Sequence, residues 1–193
     1  MITFTVDDEL FLRIVQDEDA EPLFNLMHAN REHLRRWLPW VDANASVEHT
    51  RMFIKNTKEQ RRSNLGFQAG IWFRGTLAGV IGYHPIDWLN KSVELGYWIG
   101  AEFQGKGIVT RSCRYLVDYA FRELRLHRVQ IRCAVGNERS CAIIERLGFI
   151  REGIARGAEF LYGRYVDLIV FGLTAEEWNA LDAVRAGNAA ERL

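Results

Sequence analysis

The sequence predicts an α+β domain with a central mixed, mostly antiparallel sheet flanked by helices. Three observations carry this. Phe67–Phe73 and Thr76–Tyr83 are apolar β-type runs around Arg74-Gly75, the pattern of an antiparallel hairpin. Arg128–Cys133 alternates strictly, with Val129, Ile131 and Cys133 on one face and Arg128, Gln130 and Arg132 on the other. Cys113, Leu116, Val117, Ala120, Phe121 and Leu124 instead recur at helical spacing, predicting a helix from Ile108 to Leu124.

The other elements follow in chain order. Leu10–Val15 reads as a strand, and Asp17, Asp19 and Glu21 suit the positive end of a helix running to Asn30. Trp37-Leu-Pro-Trp40-Val41 breaks the pattern with two tryptophans around a proline. Ser46 is a candidate N-cap for a polar helix to Ser63. Ser92–Gly100 is a third strand of the block. Asn137–Leu147 is a short helix closed by Gly148 as C-cap. Strands at Ile150–Leu161 and Tyr165–Leu173 flank the turn Tyr162-Gly163. Thr174 and Glu177 have capping-box spacing and open a last helix. Residues 1–185 are expected to form one domain, with 186–193 a flexible tail.

Composition narrows the function. The 193 residues carry 25 Lys+Arg and 25 Asp+Glu, a formal charge of zero. That balance argues against a nucleic-acid partner, which favours basic surfaces. Three cysteines without a CxxC pair read as reduced thiols rather than a disulfide or zinc framework. With no apolar run of membrane-spanning length and no signal peptide, the expectation is a cytoplasmic protein with no membrane partner. The five histidines show no metal spacing. Whatever charge the protein uses must be local.

The segment from Glu94 to Thr110 concentrates it. A strand runs into a loop containing Gly105 and Gly107, and the loop opens the most regular helix of the chain. Free N–H groups at such a helix start, with its positive dipole end, make an anion site. A P-loop needs Gly-x-x-x-x-Gly-Lys-Ser/Thr, and a dinucleotide fingerprint needs a third glycine where Thr110 stands; neither spacing is present.

Gln104-Gly-Lys-Gly-Ile-Val109 resembles the acetyl-CoA pyrophosphate loop of the GNAT superfamily of N-acetyltransferases, Gln/Arg-x-x-Gly-x-Gly/Ala, departing from it only at Val109. Asn137-Glu-Arg-Ser140 followed by Glu145-Arg-Leu-Gly-Phe149 resembles a second signature of that family, a helix beside the CoA arm. Arg35-Arg-Trp37-Leu-Pro-Trp40, Glu94-Leu-Gly-Tyr-Trp98 and Ala158–Asp167 are similar to the RimJ/RimL branch, whose members acetylate the N-terminal amine of ribosomal proteins.

The resemblance implies a GNAT fold, acetyl-CoA as co-substrate, no metal, and direct acetyl transfer to a primary amine. A ribosomal protein N-terminus is the expected acceptor. A small amine such as a polyamine or aminoglycoside is the alternative, and a non-catalytic acyl-CoA-binding module is a third. It also implies the site. Tyr97, Trp98 or Ile99 would offer a backbone N–H to the thioester, and Gln104, Gly105, Lys106, Gly107, Ile108, Val109, Thr110, Asn137 and Ser140 would hold the cofactor. Ser140 matches the family's acid position and Glu159 the branch's base, with Glu94 a rival.

Read from the residues alone, Ser140 is equally the N3 residue of a helix capped by Asn137. Glu159 sits among apolar neighbours that raise a carboxyl pKa on burial, and reads nearly as well as an ordinary charge on an exposed sheet edge. Arg111 and Arg114 are candidates for the adenosine phosphates. Trp37, Trp40, His84 and Trp88 are candidates for the acceptor pocket, though an aromatic loop of this kind serves a core or a homodimer interface as readily.

Overall fold

A computed structural model describes residues 2–190. Eight strands form one sheet: β1 (Thr3–Thr5), β2 (Leu10–Ile14), β3 (Gln68–Phe73), β4 (Thr76–Tyr83), β5 (Ser92–Ile99), β6 (Arg128–Ala134), β7 (Ile150–Leu161) and β8 (Arg164–Thr174), in the order β1-β2-β3-β4-β5-β6-β8-β7. All neighbours are antiparallel except β5 and β6, which are parallel. The helices are α1 (Ala20–Ala29), α2 (Arg31–Arg35), α3 (Val47–Arg62), α4 (Ile108–Arg122), α5 (Glu138–Leu147) and α6 (Ala175–Ala190).

The strand edges and helix starts follow from local sequence. Alternation in β6 holds, with Val129, Ile131 and Cys133 buried and Arg132 exposed. Glu177 accepts from the Thr174 N–H (2.8 Å) and the Glu177 N–H reaches back to the Thr174 hydroxyl (3.3 Å), the reciprocal bonds of a capping box. Gly148 ends α5 at φ 96°, a left-handed C-cap. Ser46 does occupy the N-cap of α3, but its hydroxyl makes no capping bond and lies 3.4 Å from His49 Nδ1. Strand β1 and helix α2 are too short to carry a periodic signal in the sequence. Helix α6 continues to Ala190, across part of the stretch expected to be tail; residues 191–193 lie outside the described region.

The main core lies between the sheet and helices α4, α5 and α6, around Cys113, Leu116, Val117, Phe171 and Trp178. A smaller core beneath α1 and α3 includes Leu23, Ile54 and Val80. The strand pairing at the sheet centre decides where function can sit. Strands β5 and β6 pair only at Ser92–Arg128, Val93–Val129 and Glu94–Gln130, and then diverge. From Leu95 to Ile99, β5 is bonded to β4 alone, leaving a free strand edge in the middle of the molecule. Loops converge on that opening from both faces.

Candidate active site

Two cavities meet at the splay. One, of about 1010 Å³, is lined by the glycine loop, the first turn of α4 and the start of α5. The other, of about 820 Å³, lies over the opposite face beneath α3 and the Trp37–Trp40 loop. Both are bordered by Tyr97, Trp98, Asn137 and Ser140, so two ligands entering from opposite faces would touch there.

The first cavity has an anion cradle at its floor. Gly105 (φ 74°) and Gly107 (φ 69°) are left-handed, a conformation costing an L-residue roughly 1–2 kcal/mol. Neither position has an atom within 4 Å of where a Cβ would stand, so open space lies against the backbone. The first intrahelical bond of α4 runs from the Arg111 N–H to the Gly107 carbonyl (3.0 Å), which leaves the amides of Ile108, Val109 and Thr110 ahead of the ladder. Val109 is 5% exposed with its side chain in the main core.

Gln104 bridges the cradle, its amide accepting from Arg139 and lying 3.0 Å from His33 Nε2. Burial, then the charges of Arg36 and Arg139, holds His33 below the usual histidine range. Lys106 turns aside, its ammonium 5.5 Å from the centre of the Phe103 ring, and does not line the cavity. Arg111 and Arg114 also face elsewhere: Arg111 pairs with Asp7 (2.6 Å) and Arg114 with Asp182 (3.3 Å). Arg36, Arg139 and Arg146 line the cavity instead. Helical spacing alone did not separate these arginines, because their partners lie far away in the chain.

At the free edge, hydrogen-bond alternation selects among the three backbone candidates. His84 N–H bonds to the Glu94 carbonyl and Gly100 N–H to the Ala78 carbonyl, both at 2.9 Å. Every second residue between them therefore faces β4, which occupies the backbone of Trp98. Tyr97 and Ile99 point their N–H groups into the gap. Trp98 contributes its side chain, packed against Trp40 (6.2 Å between centroids).

Ser140 separates its two readings. Its backbone N–H donates to the Asn137 Oδ1 (3.3 Å), capping α5, while its hydroxyl takes no part in the cap and lies 2.7 Å from the Tyr97 hydroxyl. Nothing in the local sequence marks that tyrosine hydroxyl as part of the site, because its partner Ser140 lies 43 residues away in the chain.

On the other face, the second cavity holds two carboxylates. Glu94 is committed: Arg132 Nε lies 3.0 and 2.9 Å from its two oxygens. Glu159 has no ion pair or hydrogen bond among the described residues. A register shift in β7 between Ala155 and Glu159, the second along this strand after one at Arg151–Gly153, with Gly157 N–H anchored on Asp167 (2.8 Å), turns this side chain toward the cavity it lines. Burial raises the Glu159 carboxyl above its ordinary pKa, the nearby Glu94 adds to that, and Arg132 opposes it.

The Trp37–Trp40 loop is held over this cavity by the β7–β8 turn. Tyr162 donates to the Leu38 carbonyl (2.7 Å), and the Arg35 guanidinium stacks 3.9 Å from the Tyr162 ring while pairing with Asp42. Trp37, Trp40 and His84 line this cavity. Trp88 does not; its indole donates to the Asn64 carbonyl (2.6 Å) outside the cavity. Cys133 and Cys141 are free thiols 2.8 Å apart, and burial pushes the Cys133 thiol up. Among the described residues, no cluster of His, Cys, Asp and Glu could hold a metal ion.

A splayed parallel pair, a left-handed glycine cradle beneath one helix and a second cavity behind it suit an extended anionic ligand that reaches across the sheet toward the second cavity. Residues 9–150 match the model of the acetyltransferase (GNAT) domain. The chain belongs to the GNAT family of N-acetyltransferases. A Bacillus subtilis (strain 168) protein, YdaF, which carries a provisional ribosomal N-acetyltransferase name, is 40% identical over 92% of this chain and 98% of its own length. The ribosomal-protein-serine acetyltransferase of Escherichia coli (strain K12) is 31% identical over 88% of this chain and 94% of its own. A more distant relative, at 27%, is a spermidine N(1)-acetyltransferase of Vibrio cholerae covering 84% of this chain and 91% of its own. Among solved structures, RimL, a ribosomal L7/L12 α-N-protein acetyltransferase in complex with coenzyme A, superposes with a TM-score of 0.88 at 28% identity, over 91% of this chain and 99% of that one.

The protein is therefore an N-acetyltransferase that takes acetyl-CoA as co-substrate, with the fold expected from its sequence. Among the described residues, no helix is long and apolar enough to cross a membrane.

Proposed function

We propose that this GNAT enzyme acetylates the N-terminal α-amine of a protein, with a ribosomal protein as the acceptor. The observation that carries the reading is the charge inventory of the acceptor cavity. Among the described residues, Glu94 and Glu159 are its acidic lining, and Arg132 pairs with Glu94. One carboxylate remains for one amine. A polyamine would bring further ammonium groups with no carboxylate to meet them, and each would be buried at a cost. Trp37, Trp40, Met52 and Phe53 instead offer an apolar wall to the side chains that follow a peptide's first residue. The names of the relatives support the same acceptor class.

In this reading the cradle amides of Ile108–Thr110 bind the pyrophosphate of acetyl-CoA, and the N–H of Tyr97 or Ile99 faces the thioester carbonyl. Glu159, whose pKa burial raises above the ordinary carboxylate value, takes the proton from the attacking α-amine. An α-amine with a pKa of about 8 yields it more readily than a lysine at about 10.4. Charge developing on the carbonyl oxygen meets a fixed backbone donor, and Ser140 meets the sulfur. Acetyl transfer is direct, because attack by a neutral amine requires no acyl-enzyme. The test is thiol release from acetyl-CoA with peptides beginning Ser, Ala or Met, against spermidine and an aminoglycoside. Turnover with the peptides supports the proposal; turnover with spermidine alone removes it.

A further inference from the structure

We infer that Tyr97 is a positioning residue for the transfer step: its hydroxyl donates to Ser140 Oγ and thereby aims the Ser140 hydrogen at the departing sulfur. The inference rests on the proposed role of Ser140 at the sulfur, and it adds a residue whose side chain the family resemblance did not assign.

The geometry is specific. Ser140 is fixed through its backbone, since the Asn137 side chain caps its N–H. What remains free is a hydroxyl rotor, and the Tyr97 hydroxyl, 2.7 Å away, is the hydrogen-bond partner of that oxygen among the described residues. The Tyr97 ring is held from below, packed against the main core from the free segment of β5. Both residues border both cavities, so the pair stands where the two ligands meet.

Chemistry orients the bond. Each hydroxyl has one hydrogen, and without ligand either can donate. As the carbon–sulfur bond breaks, its electron pair stays on sulfur, which can only accept. A hydrogen bond to an ionised acceptor is roughly twice as strong as a neutral one, so the Ser140 hydrogen turns to the sulfur. That vacates the Ser140 oxygen, and the Tyr97 hydrogen fills it. The two bonds then polarise each other in the same direction, a gain of roughly 10–30% per bond. Burial raises the Tyr97 phenol well above its ordinary range, so its proton stays in place throughout. Tyr97 is thus a fixed donor rather than an acid: the amine's proton leaves through Glu159, and CoA departs as a thiolate that takes its proton from water.

The test is a double-mutant cycle of Tyr97→Phe and Ser140→Ala, read in kcat and in KM for acetyl-CoA. Loss of one neutral hydrogen bond, about 0.5–1.5 kcal/mol, predicts a kcat roughly 2- to 10-fold lower in Tyr97→Phe, with KM unchanged. In the Ser140→Ala background the same change should alter kcat by less than about twofold, because the oxygen it orients is gone. Additive losses, or an equal rise in KM, would mean Tyr97 is only packing and would overturn the inference. Wild-type kcat in Tyr97→Phe alongside an impaired Ser140→Ala overturns Tyr97 alone. Wild-type kcat in Ser140→Ala overturns the role of Ser140 and this inference with it. Should Tyr97→Phe show no melting transition, site-specific 3,5-difluorotyrosine at position 97 keeps the ring and hydroxyl and strengthens the donor. It should raise kcat, and no change or a fall would count against the inference.

Discussion

Gly107→Ala separates the backbone cost of the cradle from its binding role. Gly107 has φ 69°, and an added methyl would meet nothing within 4 Å. The fold therefore pays only the left-handed penalty, about 1–2 kcal/mol. For a chain of this size, each kcal/mol lowers Tm by roughly 2–4 °C, so a drop of roughly 2–8 °C is expected. The methyl would, however, stand where a phosphate must approach the amides of Ile108–Thr110. Losing even one hydrogen bond to a charged group, at about 1.5–3 kcal/mol, weakens CoA binding by roughly 10- to 150-fold. Gly163→Ala is the control, since Gly163 is also left-handed (φ 90°) with nothing within 4 Å, but lies in the β7–β8 turn away from the cradle. Calorimetric titration with CoA and thermal melts of both variants give the four numbers needed. Similar Tm losses with a CoA defect only in Gly107→Ala are expected. Wild-type affinity in Gly107→Ala, or an equal defect in Gly163→Ala, would refute the cradle as the phosphate site.

Glu159→Gln should lower kcat on the order of 100-fold while leaving acetyl-CoA affinity intact, as removal of a general base does; turnover lost in Glu94→Gln but kept in Glu159→Gln would reverse the assignment. Because burial raises the Glu159 pKa, the acid limb of the kcat profile should lie above the ordinary carboxylate range and vanish in Glu159→Gln. The sign also bears on stability: a folded-state pKa above the unfolded one favours folding below the unfolded value and loses that contribution as pH rises. Glu159→Gln should therefore melt no lower than wild type at neutral pH. A Cβ at Gly96 would stand 3.0 Å from His84 Nε2 in the acceptor cavity, so Gly96→Val should raise KM for the amine without changing that for acetyl-CoA. Thr174→Ala removes the cap of α6 and should cost about 1 kcal/mol in a melt, with kcat unchanged.

What the sequence disclosed depended on how local the cause was. Helix α4, the β3–β4 hairpin and the capping box at Thr174 are written in neighbouring residues, and they form where the spacing puts them. The glycine cradle was legible for the same reason. Strand β1 and helix α2 were not, because three and five residues contain too few periods and tertiary contacts create them. The splay of β5 from β6 is a relation between distant strands, so the sequence could not say that Trp98 faces β4 while Tyr97 and Ile99 face the gap. The commitments of Arg111 to Asp7, Arg114 to Asp182 and Arg132 to Glu94 likewise join residues far apart in the chain. Glu159 is aimed by an irregularity in β7 that alternation cannot announce.

The central claim is that one uncommitted carboxylate, facing acetyl-CoA across the splayed strands, serves one α-amine. Mass spectrometry of peptide products made with acetyl-CoA tests it most directly. A single acetyl group on the N-terminal amine of Ser-, Ala- or Met-initiated peptides, dependent on Glu159, is expected. Acetylation confined to lysine side chains or to spermidine, or transfer undiminished in Glu159→Gln, would contradict it.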